Sequence, residues 1–145
     1  MRKYFFIVVP GNPTGKARAR TVKAGNKFIS FTPKNTRCYE ATIRQFFSAL
    51  YPAAALLEGP LYITTNIYLQ LPKSRDKKKD KEKIDADKLR CPCRPDIDNC
   101  LKSFKDALEG LAYRNDSQFV IVHAEKWYSR RPRAEIEVGE VTDGA

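Results

Sequence analysis

Residues 94–128 read RPDIDNCLKSFKDALEGLAYRNDSQFVIVHAEKWY, and their pattern predicts a helix followed by a strand. Ile97, Cys100, Leu101, Phe104, Ala107, Leu108 and Leu111 recur at three- and four-residue spacing, one apolar stripe on a helix over 96–111. Gly110 marks its end. Phe119, Val120, Ile121 and Val122 form the centre of a strand over 117–128. Arg130-Arg131-Pro132 then makes a turn. Ala134, Ile136 and Val138 alternate with Glu135 and Glu137 in a last strand, ahead of a frayed tail over 140–145.

Upstream, residues 61–71 alternate between apolar and polar positions, the signature of a half-buried strand. Tyr39, Ile43, Phe46, Phe47 and Leu50 give a helix over 33–50, and residues 4–9 a strand stopped by Pro10-Gly11-Asn12-Pro13. Between them, Lys16, Arg18 and Arg20 fall at every second position, so an extended chain points all three to one face. Gly25-Asn26 turns that strand into a second one at 28–31. Residues 73–90 have little apolar content and form either a solvated helix laced with i,i+4 pairs or a mobile loop. The order β-(ββ)-α-β-α-β-β describes an α+β fold: one small domain over 1–145, a mixed or antiparallel sheet with two main helices, and a basic insertion or flap at 73–93.

The chain has 145 residues and carries 27 basic against 17 acidic side chains, a net charge of +10. That excess favours a polyanionic partner, meaning nucleic acid or an anionic membrane surface. Residues 1–40 hold nine basic side chains against Glu40 alone, and residues 73–90 hold nine against five. No apolar run approaches the ~20 residues that cross a bilayer, so the expectation is a cytoplasmic protein with no membrane partner. The C-x-C-x6-C spacing of Cys91, Cys93 and Cys100 matches no familiar structural zinc pattern, so the four cysteines read as buried or incidental thiols. His123, in mid-strand, reads as structural. Trp127, Tyr128 and the aromatics at 4–6 and 46–51 read as core or dimer interface.

Chemistry concentrates at Arg94-Pro95-Asp96-Ile97-Asp98-Asn99. Pro95 keeps the preceding residue out of the helical region. Asp98 is then a natural N-cap, and Asp96 and Asp98 converge on an extended segment just ahead of the helix. Lys102 stands one turn beyond Asp98. Asp116 lies at the start of the returning strand, and strand tilt decides whether it meets the pair. Hard carboxylate oxygens suit Mg2+ or Mn2+, and such an ion activates water against a phosphodiester. The competing reading is a basic nucleic-acid-binding protein without catalysis, whose acids only cap and pair.

At these residues the chain resembles the RusA family of Holliday-junction resolvases. The resemblance is carried by Arg94-Pro95-Asp96-Ile97-Asp98-Asn99, Leu101-Lys102, Asp106-Ala107-Leu108, Gly110-Leu111-Ala112-Tyr113 and Asn115-Asp116-Ser117-Gln118. The run from Pro13 to Arg20 is similar to that of some phage members. The resemblance implies a homodimer that resolves four-way DNA junctions by paired cuts with Mg2+ or Mn2+, in recombination and repair. It implies Asp96, Asp98 and Asp116 as metal ligands and Lys102 as a catalytic lysine. Where the family often carries a second acid ahead of the third aspartate, this chain has Asn115, and the 73–93 insertion is longer than in compact members. Lys16, Arg18, Arg20, Lys23, Lys77, Lys78, Lys79 and Arg94 are the expected DNA contacts.

Overall fold

The computed structural model describes residues 3–16, 20–31 and 34–142. Its elements are β1 (Tyr4–Pro10), β2 (Arg20–Ala24), β3 (Lys27–Phe31), α1 (Lys34–Leu50), β4 (Leu61–Gln70), α2 (Lys81–Asp85), β5 (Leu89–Arg90), α3 (Ile97–Leu108), β6 (Phe119–Ser129) and β7 (Arg133–Glu140). Five strands form one sheet in the order β1-β7-β4-β6-β5, and β2 and β3 form a separate hairpin. β4 and β6 are parallel because α3 crosses over between them, while the other pairs are antiparallel. The expected α+β class therefore holds, with a mixed sheet.

One face of the sheet is covered by the helices. Ile7 and Val9 of β1, Ile63 and Ile67 of β4, and Ile136 and Val138 of β7 are buried there. Against them pack Ile43 and Phe47 of α1 and Cys100, Phe104 and Leu108 of α3. Tyr39 meets Phe104 across the two helices, ring centres 6.3 Å apart. Each such aliphatic or aromatic side chain contributes about 1.5–3 kcal/mol on burial, and this layer fixes the direction of α3.

Among the described residues neither α1 nor α3 lies on the opposite face, yet β4 is not half-exposed as its alternation predicts. Tyr62 and Tyr68 are both buried. Long neighbouring side chains cover this face: Arg133 stacks over Tyr68 at 3.9 Å, Arg90 over Trp127 at 3.5 Å, and the Tyr62 hydroxyl donates to Glu137 at 2.6 Å. Gly139 makes room for Tyr62, since a Cβ there would lie 2.6 Å from the ring.

The two margins of the sheet differ. At β1 the Tyr51 hydroxyl accepts from the Phe6 amide (3.0 Å) and donates to the Phe6 carbonyl (3.2 Å). At the other margin β5 pairs only with Tyr128 and Trp127, so among the described residues no strand covers β6 over 119–126. Val120, Ile121 and Val122 are exposed there.

The 73–90 segment is neither a continuous helix nor an untethered loop. Two 3-10 turns (Lys73–Arg75 and Lys78–Asp80) lead into α2 and β5. Its acids reach the β6–β7 turn: Arg130 binds Asp76 (3.0 Å) and Asp85 (2.7 Å), and Arg133 binds Asp87 (3.0 Å). Ile84, the segment's central apolar residue, is fully buried. The strand carrying Lys16, Arg18 and Arg20 begins only at Arg20; Lys16 precedes it, and Arg18 lies outside the described residues. Residues 143–145 of the expected frayed tail also lie outside them.

Candidate active site at the head of the third helix

α3 begins at Ile97, two residues earlier than an Asp98 cap requires. Asp96, with extended ψ of 147°, is the N-cap, and Asp98 sits inside the first turn. The two carboxylates therefore do not share an extended segment. Asp96 makes no side-chain capping bond. Both residues are exposed, and among the described residues neither carboxylate has a hydrogen bond or ion pair. Capping does not account for them.

Asp96 and Arg94 stand on the rim between two open clefts. One is lined by Pro13, Gly15, Lys16 and Asn99. The other runs along Arg90, Cys93, Glu125 and Lys126. The loop beside the first cleft is fastened to α3. The Lys16 amide donates to the Asn99 carbonyl at 2.8 Å, and the Ser103 hydroxyl donates to the Thr14 carbonyl at 3.0 Å. Gly15 is pressed so close that a Cβ would lie 2.9 Å from the Pro95 Cβ. Lys102 lies one turn beyond Asp98, exposed, with its ammonium 3.2 Å from Asp106.

Asp116 does not join this group. It opens the 3-10 turn Asp116–Gln118, and its amide donates to Glu109 at 3.3 Å, at the far end of α3. α3 runs antiparallel to β6: Lys126 bonds the Cys93 carbonyl at its head, while Lys105 lies over Phe119 near its tail. Twelve residues of helix span about 18 Å at ~1.5 Å each, so Asp116 and Asp96 sit at opposite ends. Among the described residues, no three His, Cys, Asp or Glu side chains gather closely enough to hold an ion. The expected cluster of Asp96, Asp98 and Asp116 is not assembled within one chain. Asn115 is occupied locally. Its side chain accepts from the Ser117 amide, and Gln118 closes the reciprocal bond to the Asn115 amide, a capping box that fixes the turn.

The expected DNA contacts separate. Lys23, Lys77, Lys78, Lys79 and Arg94 are exposed. Lys16 is instead engaged with Glu40 and Asp106 at 2.7 and 3.2 Å. Burial disfavours its charge, but those two partners outweigh burial and raise its pKa. Acids are nearly absent from the sequence around Lys16; both of its partners come from distant helices. The local pattern also gives no sign of Arg90 and Lys126, whose place beside the second cleft follows from tertiary packing. His123 is exposed rather than packed, 3.3 Å from Glu125. Cys100 is buried, and burial pushes its thiol up to about 11; the Tyr128 hydroxyl sits 3.4 Å from the Cys93 sulfur.

Residues 10–139 match the family described as Endodeoxyribonuclease RusA, a span holding every carboxylate discussed above. The chain belongs to the RusA endodeoxyribonuclease family. It is 33% identical over 137 residues, covering 94% of this chain and 96% of the relative, to the "Uncharacterized protein YqaN" of Bacillus subtilis (strain 168). For a RusA-family chain, the head of α3 is where basic clefts and unpartnered acids coincide. No helix among the described residues is long and apolar enough to cross a membrane.

Proposed function

We propose that this chain is a divalent-metal-dependent endonuclease that resolves four-way DNA junctions by paired phosphodiester hydrolysis, working as a homodimer. The observation that carries the reading is the pair Asp96 and Asp98: exposed, uncapped and unpaired among the described residues, beside the exposed cation Arg94, in a RusA-family chain. Their donor chemistry fits Mg2+ or Mn2+, which take hard oxygens and keep several waters. When bound, such an ion supplies phosphate polarisation and a more acidic water. Lys102 steadies negative charge that builds on the phosphate. Arg94, with Lys23 and the run Lys77, Lys78 and Lys79, holds the DNA backbone; Arg18 and Arg20 belong to the same basic N-terminal segment.

A second copy supplies what one chain lacks. The margin of β6 over 119–126, which no strand covers among the described residues and where Val120, Ile121 and Val122 are exposed, is a template for another strand. Two-fold antiparallel pairing centred on Val122 sets the partner subunit's Gln118 opposite Lys126. That register brings the partner subunit's Asp116 toward the cleft that Lys126 and Asp96 both line. The metal set is then Asp96 and Asp98 from one subunit and Asp116 from the other. Two identical sites related by a dyad also match the symmetry of a four-way junction.

Cleavage of a synthetic four-way junction, compared with linear duplex and with Mg2+ present or chelated, tests the reading. Junction-selective, metal-dependent nicking is expected. Junction binding without any cutting favours the non-catalytic alternative. Asp98→Asn separates the two further: the nuclease reading predicts lost cleavage with binding retained or tightened, because a negative charge beside phosphate is removed.

A further inference from the structure

Glu40 on α1, Lys16 in the 12–16 loop, and Asp106 and Lys102 on α3 form one alternating series of charges. Lys16 Nζ lies 2.7 Å from Glu40 Oε1 and 3.2 Å from Asp106 Oδ2. Asp106 Oδ1 lies 3.2 Å from Lys102 Nζ. Exposure runs from 12% for the Glu40 side chain through 23% and 22% for Lys16 and Asp106 to 54% for Lys102. The series starts on α1 and ends on Lys102, whose ammonium is turned toward Asp106 on the helix face it shares with Asp98.

Two features set this apart from an ordinary surface pair. Asp106 offers a different oxygen to each lysine, so two ammonium groups share one carboxylate. Lys16 is not free to withdraw, because its backbone is bonded to Asn99 and its loop is pressed against Pro95. An isolated exposed i,i+4 pair contributes little and would neutralise the lysine it holds. Here Arg44 also approaches Glu40, at 4.0 Å. The cations Lys16, Arg44 and Lys102 thus stand on the two carboxylates Glu40 and Asp106, which leaves the group with one net positive charge.

We propose that Asp106 is a positioning residue for Lys102: shared with Lys16, it holds the Lys102 ammonium on the face of α3 that also carries Asp98, while leaving its charge available to a substrate phosphate. This rests on the nuclease reading above. Asp106 itself touches neither substrate nor ion and acts through the lysine.

The test is a double-mutant cycle read by single-turnover cleavage of a four-way junction, with junction affinity and thermal midpoint measured alongside. Asp106→Asn keeps the shape and removes the charge. It is expected to slow cleavage about 10- to 100-fold, the scale of losing correct placement of a reacting group, with junction affinity unchanged or tighter. In a Lys102→Met background the same change is expected to cost nothing more, since the residue acts through Lys102. Asp106→Glu is expected to recover part of the rate. Unaltered cleavage by Asp106→Asn, or losses that multiply independently with Lys102→Met, overturns the proposal. Should Asp106→Asn fail to fold, Lys16→Met enters the same cycle: a rate loss that vanishes in the Lys102→Met background supports the shared carboxylate, and an independent loss refutes it. A wild-type chain that cuts no junction overturns the nuclease reading and this proposal together, whereas a cutting wild type with an indifferent Asp106→Asn removes the positioning role alone.

Discussion

Mixing two inactive variants tests whether the metal site is shared between subunits. The perturbations are Asp96→Asn and Asp116→Asn, each purified separately and each expected to be inactive. The prediction follows from the length of α3, whose twelve residues separate the two positions by about 18 Å, whereas two oxygens on one Mg2+ lie within about 4 Å of each other. With Asp116 reaching the partner's site, a mixed dimer gathers both substitutions into one site and leaves the other intact. Random exchange makes roughly half of all dimers mixed, so about a quarter of the wild-type number of sites returns. The assay is nicking of a four-way junction after co-incubation under conditions that permit subunit exchange, with a single-strand nick as product because each mixed dimer has one working site. Recovery near that fraction supports assembly across the dyad. If mixing restores nothing while exchange is verified by mass-tagged subunits, the site is built within one chain and the β6-paired dimer is wrong.

Three further outcomes are expected. Val122→Lys puts a charge at the centre of the uncovered β6 margin; sedimentation should show monomers that keep their thermal midpoint, and persistence of a dimer would redirect the search to another surface. Replacing Lys77, Lys78 and Lys79 together by alanine should lower the slope of log affinity against log salt by about 2.7, from ~0.9 for each phosphate no longer neutralised; an unchanged slope means that these exposed lysines touch no DNA. Finally, the hydrogen bonds from Lys81 and Arg130 hold Asp85 below its usual 3.8, and those from Arg90 and His123 hold Glu125 below 4.5. Their contribution is therefore complete above those values and fades as pH falls through the depressed folded ones. Lys16, whose pKa is raised above 10.5, contributes fully below that value and less as pH climbs past its folded pKa. Urea midpoints should accordingly fall at both extremes, with Asp85→Asn flattening the acid side.

Elements with a strong apolar period are legible in the sequence alone. The stripe from Ile97 to Leu108 and the alternation of Ala134, Ile136 and Val138 depend on burial against one neighbour, which periodicity reports directly. What escapes a local pattern depends on distant partners. β4 shows a polar face in sequence, yet Tyr62 and Tyr68 are buried because Glu137 and Arg133 arrive from β7. The 73–90 run looks solvated, yet Arg130 and Arg133 fasten its acids and Ile84 anchors it. At the site, the types and positions of Asp96, Asp98 and Lys102 are legible, as is the dependence of Asp116 on the path of the returning strand. The two-residue earlier start of α3 is not, since an aspartate at either position satisfies the same cap preference. Lys16 looks like a free cation because Glu40 and Asp106 lie 24 and 90 positions away in the chain, beyond any local pattern.

Tyr51 has a consequence for how many copies gather. With its hydroxyl seated on both backbone groups of Phe6, it plugs the place where a newcomer would dock along β1. In the dimer proposed above, pairing along the five-stranded sheet would then fall to the β6 flank, which two molecules meeting face to face about a dyad would consume. A molecule adhesive on both flanks would add neighbours without end and build fibres; one buttoned shut on a single flank stops at a pair.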